Sequence, residues 1–215
     1  MASTLKLVAF DIEGTLTVNP TIWEIMHQKL GTWESHGCPY WERFLRGEFD
    51  YDTFAKMDIA VWQGAPVELL LESAREVGYV SGCAEVIREL HERGIMVCAI
   101  SCGLDVLSQR MSDELGIEHH FANRALHDNG TLSGELQLNV PFGEKGRVLE
   151  ELLDRVRVPP EEVAAVGDHY IDIPMFELSG FSIAFNSDEP ETNDAATCSV
   201  TSDSLTAILE HLPIS

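Results

Sequence analysis

Short apolar runs alternate with stretches of helical spacing along most of this chain, and nothing else in the sequence narrows its fold so far. Ala84–Arg93 is spaced as a helix closed by Gly94, Ile95–Ile100 reads as a strand, Leu104–Leu115 as a helix closed by Gly116, and Phe121–Ala125 as a short strand. Leu126–Leu136 carries Asn129-Gly130 between alternating runs, the strongest short-range hairpin signal. Helix, strand, helix and strand then follow at Glu144–Val156, Val163–Val166, Ile171–Leu178 and Phe181–Ala184, with a closing helix at Leu205–Leu212. Near the start, Lys6–Phe10 is another short apolar run that stops abruptly at Asp11 and a turn containing Gly14. Strands this short and continuously apolar are buried on both faces. The alternation therefore predicts an α/β protein with a doubly wound, mostly parallel Rossmann-like sheet.

Residues 20–78 interrupt that pattern. All four tryptophans (Trp23, Trp33, Trp41, Trp62) fall here, and helical periodicity appears in Ile22, Ile25, Met26 and Leu30 and again in Phe54, Met57 and Val61. The chain is thus expected to divide into an α/β core, residues 1–17 and 82–215, and a helical insert, residues 18–81, placed after the first strand. Trp23, Trp33, Trp41, Phe44 and Trp62 are expected to form the insert's own small core.

Thirty-six acidic residues stand against 14 basic ones, a formal charge of -22. Nucleic-acid affinity comes mainly from basic patches that release counterions, so neither nucleic acid nor an anionic membrane is an expected partner. Only Lys6, Lys29, Lys56 and Lys145 are lysines, a balance that fits either a salty cytoplasm or simple solubility. No apolar run reaches the ~18 residues needed to cross a bilayer, and the first ten residues lack the pattern of a secretory signal. Cys38, Cys83, Cys98, Cys102 and Cys198 are odd in number and form no CxxC pair, which speaks against a disulfide framework and against a zinc site. His119 and His120, at the start of a strand, have no further zinc ligands near them in sequence and are expected to pack or face solvent. A cytoplasmic chain, monomeric or homodimeric, is expected.

In open parallel sheets ligands sit beyond the carboxyl ends of the strands, where loops and helix N-termini converge. Asp11, Ser101 and Asp168 each follow a different predicted strand, so three strands deliver a polar side chain to one edge. Lys145 lies in the first turn of a predicted helix, where the macrodipole disfavours a cation by up to ~1 kcal/mol. An anion held at the same edge would account for it. A salt bridge to Glu144 or another neighbour would do so equally.

These residues carry a resemblance to the haloacid dehalogenase superfamily of phosphotransferases. Asp11-Ile12-Glu13-Gly14-Thr15-Leu16-Thr17 resembles its first motif, Ser101 its second, Lys145 its third and Gly167-Asp168-His169-Tyr170-Ile171-Asp172 its fourth. The helical insert after the first motif, Phe121-Ala122-Asn123-Arg124 and the Gly130–Gly134 hairpin are similar to the phosphoserine phosphatase branch, in which the insert forms a cap. The resemblance implies a phosphatase acting on a small phosphorylated metabolite through an aspartyl phosphate on Asp11. Glu13 would be the general acid and base, although the family more often has Asp there. Ser101, Lys145 and the amides around Cys102 would hold the phosphate oxygens, and Cys102 stands where the family often has glycine. Mg2+ would be held by Asp11, the backbone carbonyl of Glu13 and Asp168, with Asp172 behind them. Thr15 would steady the turn.

The same resemblance implies a cap glutamate meeting the substrate amine and a cap arginine meeting its carboxylate. Aligning without gaps from Asp11 puts Pro20 at the glutamate position, aligning on the later PheAsp-like stretch puts Asp58 at the arginine position, and Ile171 replaces a commonly polar residue. Arg43, Arg46 and Lys56 are the remaining candidate anion contacts in the cap. Transfer of the phosphoryl group to another alcohol, or a scaffold that binds without turnover, stand as alternatives to hydrolysis.

Overall fold

A computed structural model describes residues 5–214, leaving the first four residues and the last of the expected core outside it. The strands are β1 (Leu7–Phe10), β2 (Met96–Leu104), β3 (His119–Asp128), β4 (Thr131–Gln137), β5 (Val163–Gly167), β6 (Phe181–Phe185) and β7 (Cys198–Val200). They form one seven-stranded sheet in the order β4-β3-β2-β1-β5-β6-β7, parallel throughout except for the antiparallel β3–β4 hairpin. Strand order reverses at β1, so the switch point lies between β1 and β5, the place where ligands bind in such sheets.

Alternation along β1 sends Leu7 and Ala9 into one apolar cluster and Val8 and Phe10 into another, which explains why the run reads as continuously apolar. The first cluster includes Val148, Leu149, Leu152 and Leu153 from α7 (Lys145–Val156) and Met175 and Phe176 from α8 (Ile173–Leu178). The second takes Val86, Ile87 and Leu90 from α5 (Cys83–Glu92), and Leu107 and Met111 from α6 (Asp105–Leu115).

Between β1 and α5 lie α1 (Ile22–Leu30), a π-helical turn (Trp33–Gly37), α2 (Cys38–Leu45), α3 (Tyr51–Val61) and α4 (Val67–Glu76). Thr21 caps α1 by accepting from the Glu24 amide, and Asp50 caps α3 by accepting from the Thr53 amide. The connections into and out of this segment run side by side: the Val18 amide donates to the Gly78 carbonyl and the Val80 amide to the Leu16 carbonyl, both within 3.0 Å. Its far end is also tied down. Gly64 and Val67 donate to the carbonyls of Leu132 and Gly130 in the β3–β4 hairpin.

Several boundaries differ from the sequence reading. β2 does not stop at Ile100 but continues to Leu104 through a register shift against β3, so Ser101 and Cys102 lie within it and α6 starts at Asp105. β3 is longer than Phe121–Ala125 because the hairpin extends it, and Asn129 and Gly130 turn it with positive φ (48° and 81°). The expected closing helix at Leu205–Leu212 is a 3-10 helix, Leu205–Glu210. The stretch expected to be helical from Ile171 opens with a 3-10 turn, Tyr170–Asp172. α9 (Pro190–Ala195) and β7 had no clear periodicity at six and three residues. Among the described residues no helix is long and apolar enough to cross a membrane.

Candidate active site

At the switch point Asp11 leaves the end of β1, and its amide donates to the Val166 carbonyl of β5 at 2.9 Å. Three residues on, the turn needs Gly14: φ there is +103°, and a Cβ would collide with the Asp168 carboxylate. That close approach lets the Thr15 hydroxyl donate to Asp168 Oδ1 at 2.8 Å. Thr15 therefore does more than steady its own turn, since it locks the first loop to the fourth.

Lys145 is fully buried at the first residue of α7. Its ammonium donates to Asp11 Oδ1, and to Asp172 Oδ1 at 2.6 Å. The neighbour that explains its place in a first turn is thus a pair of carboxylates across the sheet edge rather than Glu144, which pairs with Arg147. Asp172 spends its other oxygen on the amides of Asp168 and His169, at 3.0 and 3.2 Å, and so fixes the loop that presents Asp168.

The Glu13 carboxylate reaches across to β2. It lies against Gly103, where a Cβ would strike Glu13 Oε2 and sit 3.0 Å from Ser101 Oγ. The Ser101 hydroxyl accepts from the Gly103 amide at 2.9 Å. One step further, Asn123 holds the bulged strand, donating to the Cys102 carbonyl at 2.7 Å and accepting from the Val140 amide at 2.8 Å. Tyr51 from the helical segment donates to the same Cys102 carbonyl at 3.4 Å.

Charge is concentrated here. Asp11, Asp168 and Asp172 each offer a carboxylate oxygen within 4.8 Å of the others. Burial lifts Asp11 above the usual carboxylate range against the pull of Lys145, and burial with the charges of Asp11 and Asp172 lifts Asp168. Burial, then the Asp11 charge, raises Glu13 from 4.5 to about 7. Lys145 pays for its burial but is held above its ordinary value by Asp11 and Asp172. One buried cation does not balance four acids, and every donor in the set is a hard oxygen. The set fits a divalent cation of the Mg2+ or Ca2+ type.

Asp11, Glu13, Ser101 and Asp168 floor a cavity of about 540 Å³ whose other walls come mostly from the helical segment, with Phe142 and His169 closing it from the sheet side. Trp23, Trp33, Trp41 and Phe44 line it, together with Tyr51 and Phe54, so the expectation that the aromatic set forms only the insert's core is corrected. Trp62 alone of the set is fully buried away from the cavity. Ile171 and Asp58 also line it, whereas Pro20 does not. Arg43, Arg46 and Lys56 are not among the lining residues; Arg43 and Arg46 fold back onto Glu48 on the surface, at 2.7 and 2.9 Å. His120 packs in β3 with Nδ1 3.1 Å from the Ser108 hydroxyl, while His119 is half-buried beside it. Thr15, Asn123 and Tyr51 carry signals that only a fold can reveal: each acts on a residue far away in sequence.

A parallel sheet with acidic loops from β1 and β5 and a buried lysine at the switch point defines a class. The chain belongs to the haloacid dehalogenase-like hydrolases, whose family profile matches residues 8–177. Within that class it is similar to phosphoserine phosphatases. It is 30% identical over 210 residues to the phosphoserine phosphatase of Archaeoglobus fulgidus, with 97% of this chain covered, and it spans 60% of that relative's length. It is 30% identical over 181 residues to that of Methanocaldococcus jannaschii, covering 84% of this chain and 85% of the relative. A solved phosphoserine phosphatase bearing an analogue of the phospho-aspartyl intermediate superposes with a TM-score of 0.86 at 27% identity, covering 98% of this chain and 100% of that one.

Proposed function

We propose that the chain is a Mg2+-dependent phosphomonoesterase that acts on a small phosphorylated metabolite through an aspartyl phosphate on Asp11. The observation that carries this reading is the pairing of two acids with different surroundings over one cavity. Asp11 is held by the Lys145 ammonium, whereas the Glu13 carboxylate has a buried oxygen, Oε1, with no hydrogen-bond partner among the described residues. Environments that push two carboxylates apart assign them different roles.

Asp11, the backbone carbonyl of Glu13 and Asp168 would hold Mg2+, which supplies positive charge against the substrate dianion. Two like charges ~4 Å apart repel by roughly 4 kcal/mol at an effective dielectric of ~20, so a carboxylate nucleophile needs such charge beside it. Lys145 adds to it and keeps one Asp11 oxygen oriented. The other Asp11 oxygen attacks phosphorus, the P–O ester bond breaks, and its electron pair leaves with the alkoxide oxygen. Glu13, protonated near neutral pH by its raised pKa of about 7, gives that oxygen its proton. The resulting Glu13 carboxylate takes a proton from water, whose oxygen attacks phosphorus and releases Asp11 and inorganic phosphate. Ser101, which lines this cavity, and the amides beside Cys102 would offset the non-bridging oxygens.

The test is phosphate release from p-nitrophenyl phosphate with Mg2+ and with excess chelator. Phosphate and nitrophenol in equal amounts, lost on chelation, are expected. Nitrophenol in excess of phosphate when a second alcohol is added would point to transfer, and no release at all would overturn the reading.

A further inference from the structure

We propose that the alcohol part of the substrate is a cationic, carboxylate-free amino alcohol whose ammonium group sits among the aromatic walls of the cavity, with Glu24 and Asp58 as its counter-charges. This rests on the phosphomonoesterase reading and names the substrate class within it.

The walls are Trp23, Trp33, Trp41, Phe44, Tyr51 and Phe54. All of these rings except Trp33 form a continuous surface: Phe44 and Phe54 stack with centroids 5.5 Å apart, and Trp41 lies 5.5 and 5.7 Å from these two. Tyr51 stands 5.8 Å from Phe54, and Trp23 6.4 Å from it. Aromatic faces attract a cation through their quadrupole, and they do so most strongly where the site is desolvated.

Two acids above the catalytic floor set the sign of the preferred ligand. Glu24 lines the cavity from the first turn of α1, its carboxylate engaged among the described residues only by the Gln28 amide at 2.8 Å. Asp58 lines it from α3 and is 1% exposed, with Oδ1 3.1 Å from His27 Nε2. His27 Nδ1 in turn lies 2.8 Å from the Thr32 hydroxyl, so the imidazole is fixed from both sides and aims at Asp58. Neither lysine nor arginine is among the lining residues. A carboxylate on the substrate would meet Glu13, Glu24 and Asp58 with no cation to answer it. A neutral apolar group would fill the walls but bring no positive charge to the part-exposed Glu24 or to the buried Asp58 beside His27. An ammonium group satisfies both features at once.

The test compares kcat/KM for phosphocholine, its neutral isostere 3,3-dimethylbutyl phosphate, and phosphoserine, with Mg2+ at one pH. We expect phosphocholine to lead each of the others by at least tenfold, about 1.4 kcal/mol. Choline alone, and not 3,3-dimethylbutanol, should quench the tryptophan fluorescence of the cavity. Glu24→Gln and Trp41→Leu should each lower the phosphocholine-to-isostere ratio at least threefold. Trp41 is exposed and Glu24 partly so, so these variants are expected to fold even if Asp58→Asn does not. Equal rates for phosphocholine and the isostere would overturn the proposal in favour of a merely apolar cavity, and a lead for phosphoserine would overturn it outright. If none of the three nor p-nitrophenyl phosphate is hydrolysed, the phosphomonoesterase reading fails, and choline quenching then decides the ammonium pocket by itself: its presence supports the pocket and its absence overturns it.

Discussion

Glu13 and Asp11 are two residues apart and differ in what touches them, and that difference predicts how their substitutions part. Asp11→Asn keeps the shape of the side chain but removes the proposed nucleophile, so activity should fall below a hundredth of wild type with an unchanged circular dichroism spectrum. Glu13→Gln should instead slow an alkyl phosphate far more than an aryl one, because the aryl oxide leaves without a proton. Equal slowing of both substrates would remove Glu13 from proton transfer. Glu13→Asp retracts the carboxylate by roughly 1.5 Å from its place over Gly103 and should cost tenfold or more on the alkyl substrate while keeping the pH optimum.

Among the elements, β2 has the most exacting course. The sequence marks its end at Ile100 before the polar Ser101, and the apolar run marks its start, but the four extra residues to Leu104 depend on a bulge held by Asn123, a partner 21 residues away from Cys102. No local pattern encodes such a bond. Asn129-Gly130 is the opposite case: the turn is written in two adjacent residues, and the hairpin was legible. Asp11, Ser101, Lys145 and Asp168 were legible as polar breaks at strand ends or as a cation misplaced in a first turn. The aromatic walls were not, because a helix spacing shows that residues share a face and leaves open whether that face meets protein or a cavity. Gly103→Ala tests the bulge directly. Its Cβ would displace the Glu13 carboxylate, so turnover should drop at least tenfold while Tm moves by less than about 5 °C. A wild-type rate would show that the carboxylate can move aside freely.

For the whole molecule, the raised acids make stability depend on pH in an unusual direction. Asp11, Glu13 and Asp168 all sit above their unfolded values, Glu13 moving from 4.5 to about 7. In that window the native state binds more protons than the unfolded one, so stability falls as pH rises. With chelator present, Tm should be lower at pH 8 than at pH 5.5. Mg2+ should raise Tm more at pH 8, where its ligands are ionised, and a Tm gain larger at pH 5.5 would contradict the assignment of the acids. A net charge of -22 adds a second dependence: potassium chloride at about 1 M should raise Tm by screening self-repulsion.

α2 contributes no buried residue, although Trp41 and Phe44 of the cavity wall belong to it, and the helical segment is fastened to the sheet at both of its other ends. Passage in and out of the cavity therefore has a cheap route, in which two turns of helix come away while the rest of the protein keeps its hydrogen bonds. Amide exchange measured by mass spectrometry should be fastest in residues 38–45 within the helical segment and slow there when choline or substrate is present. If α3 exchanges as fast as α2, the traffic is carried by the segment as a whole, and product would leave no more quickly than that larger unit can open.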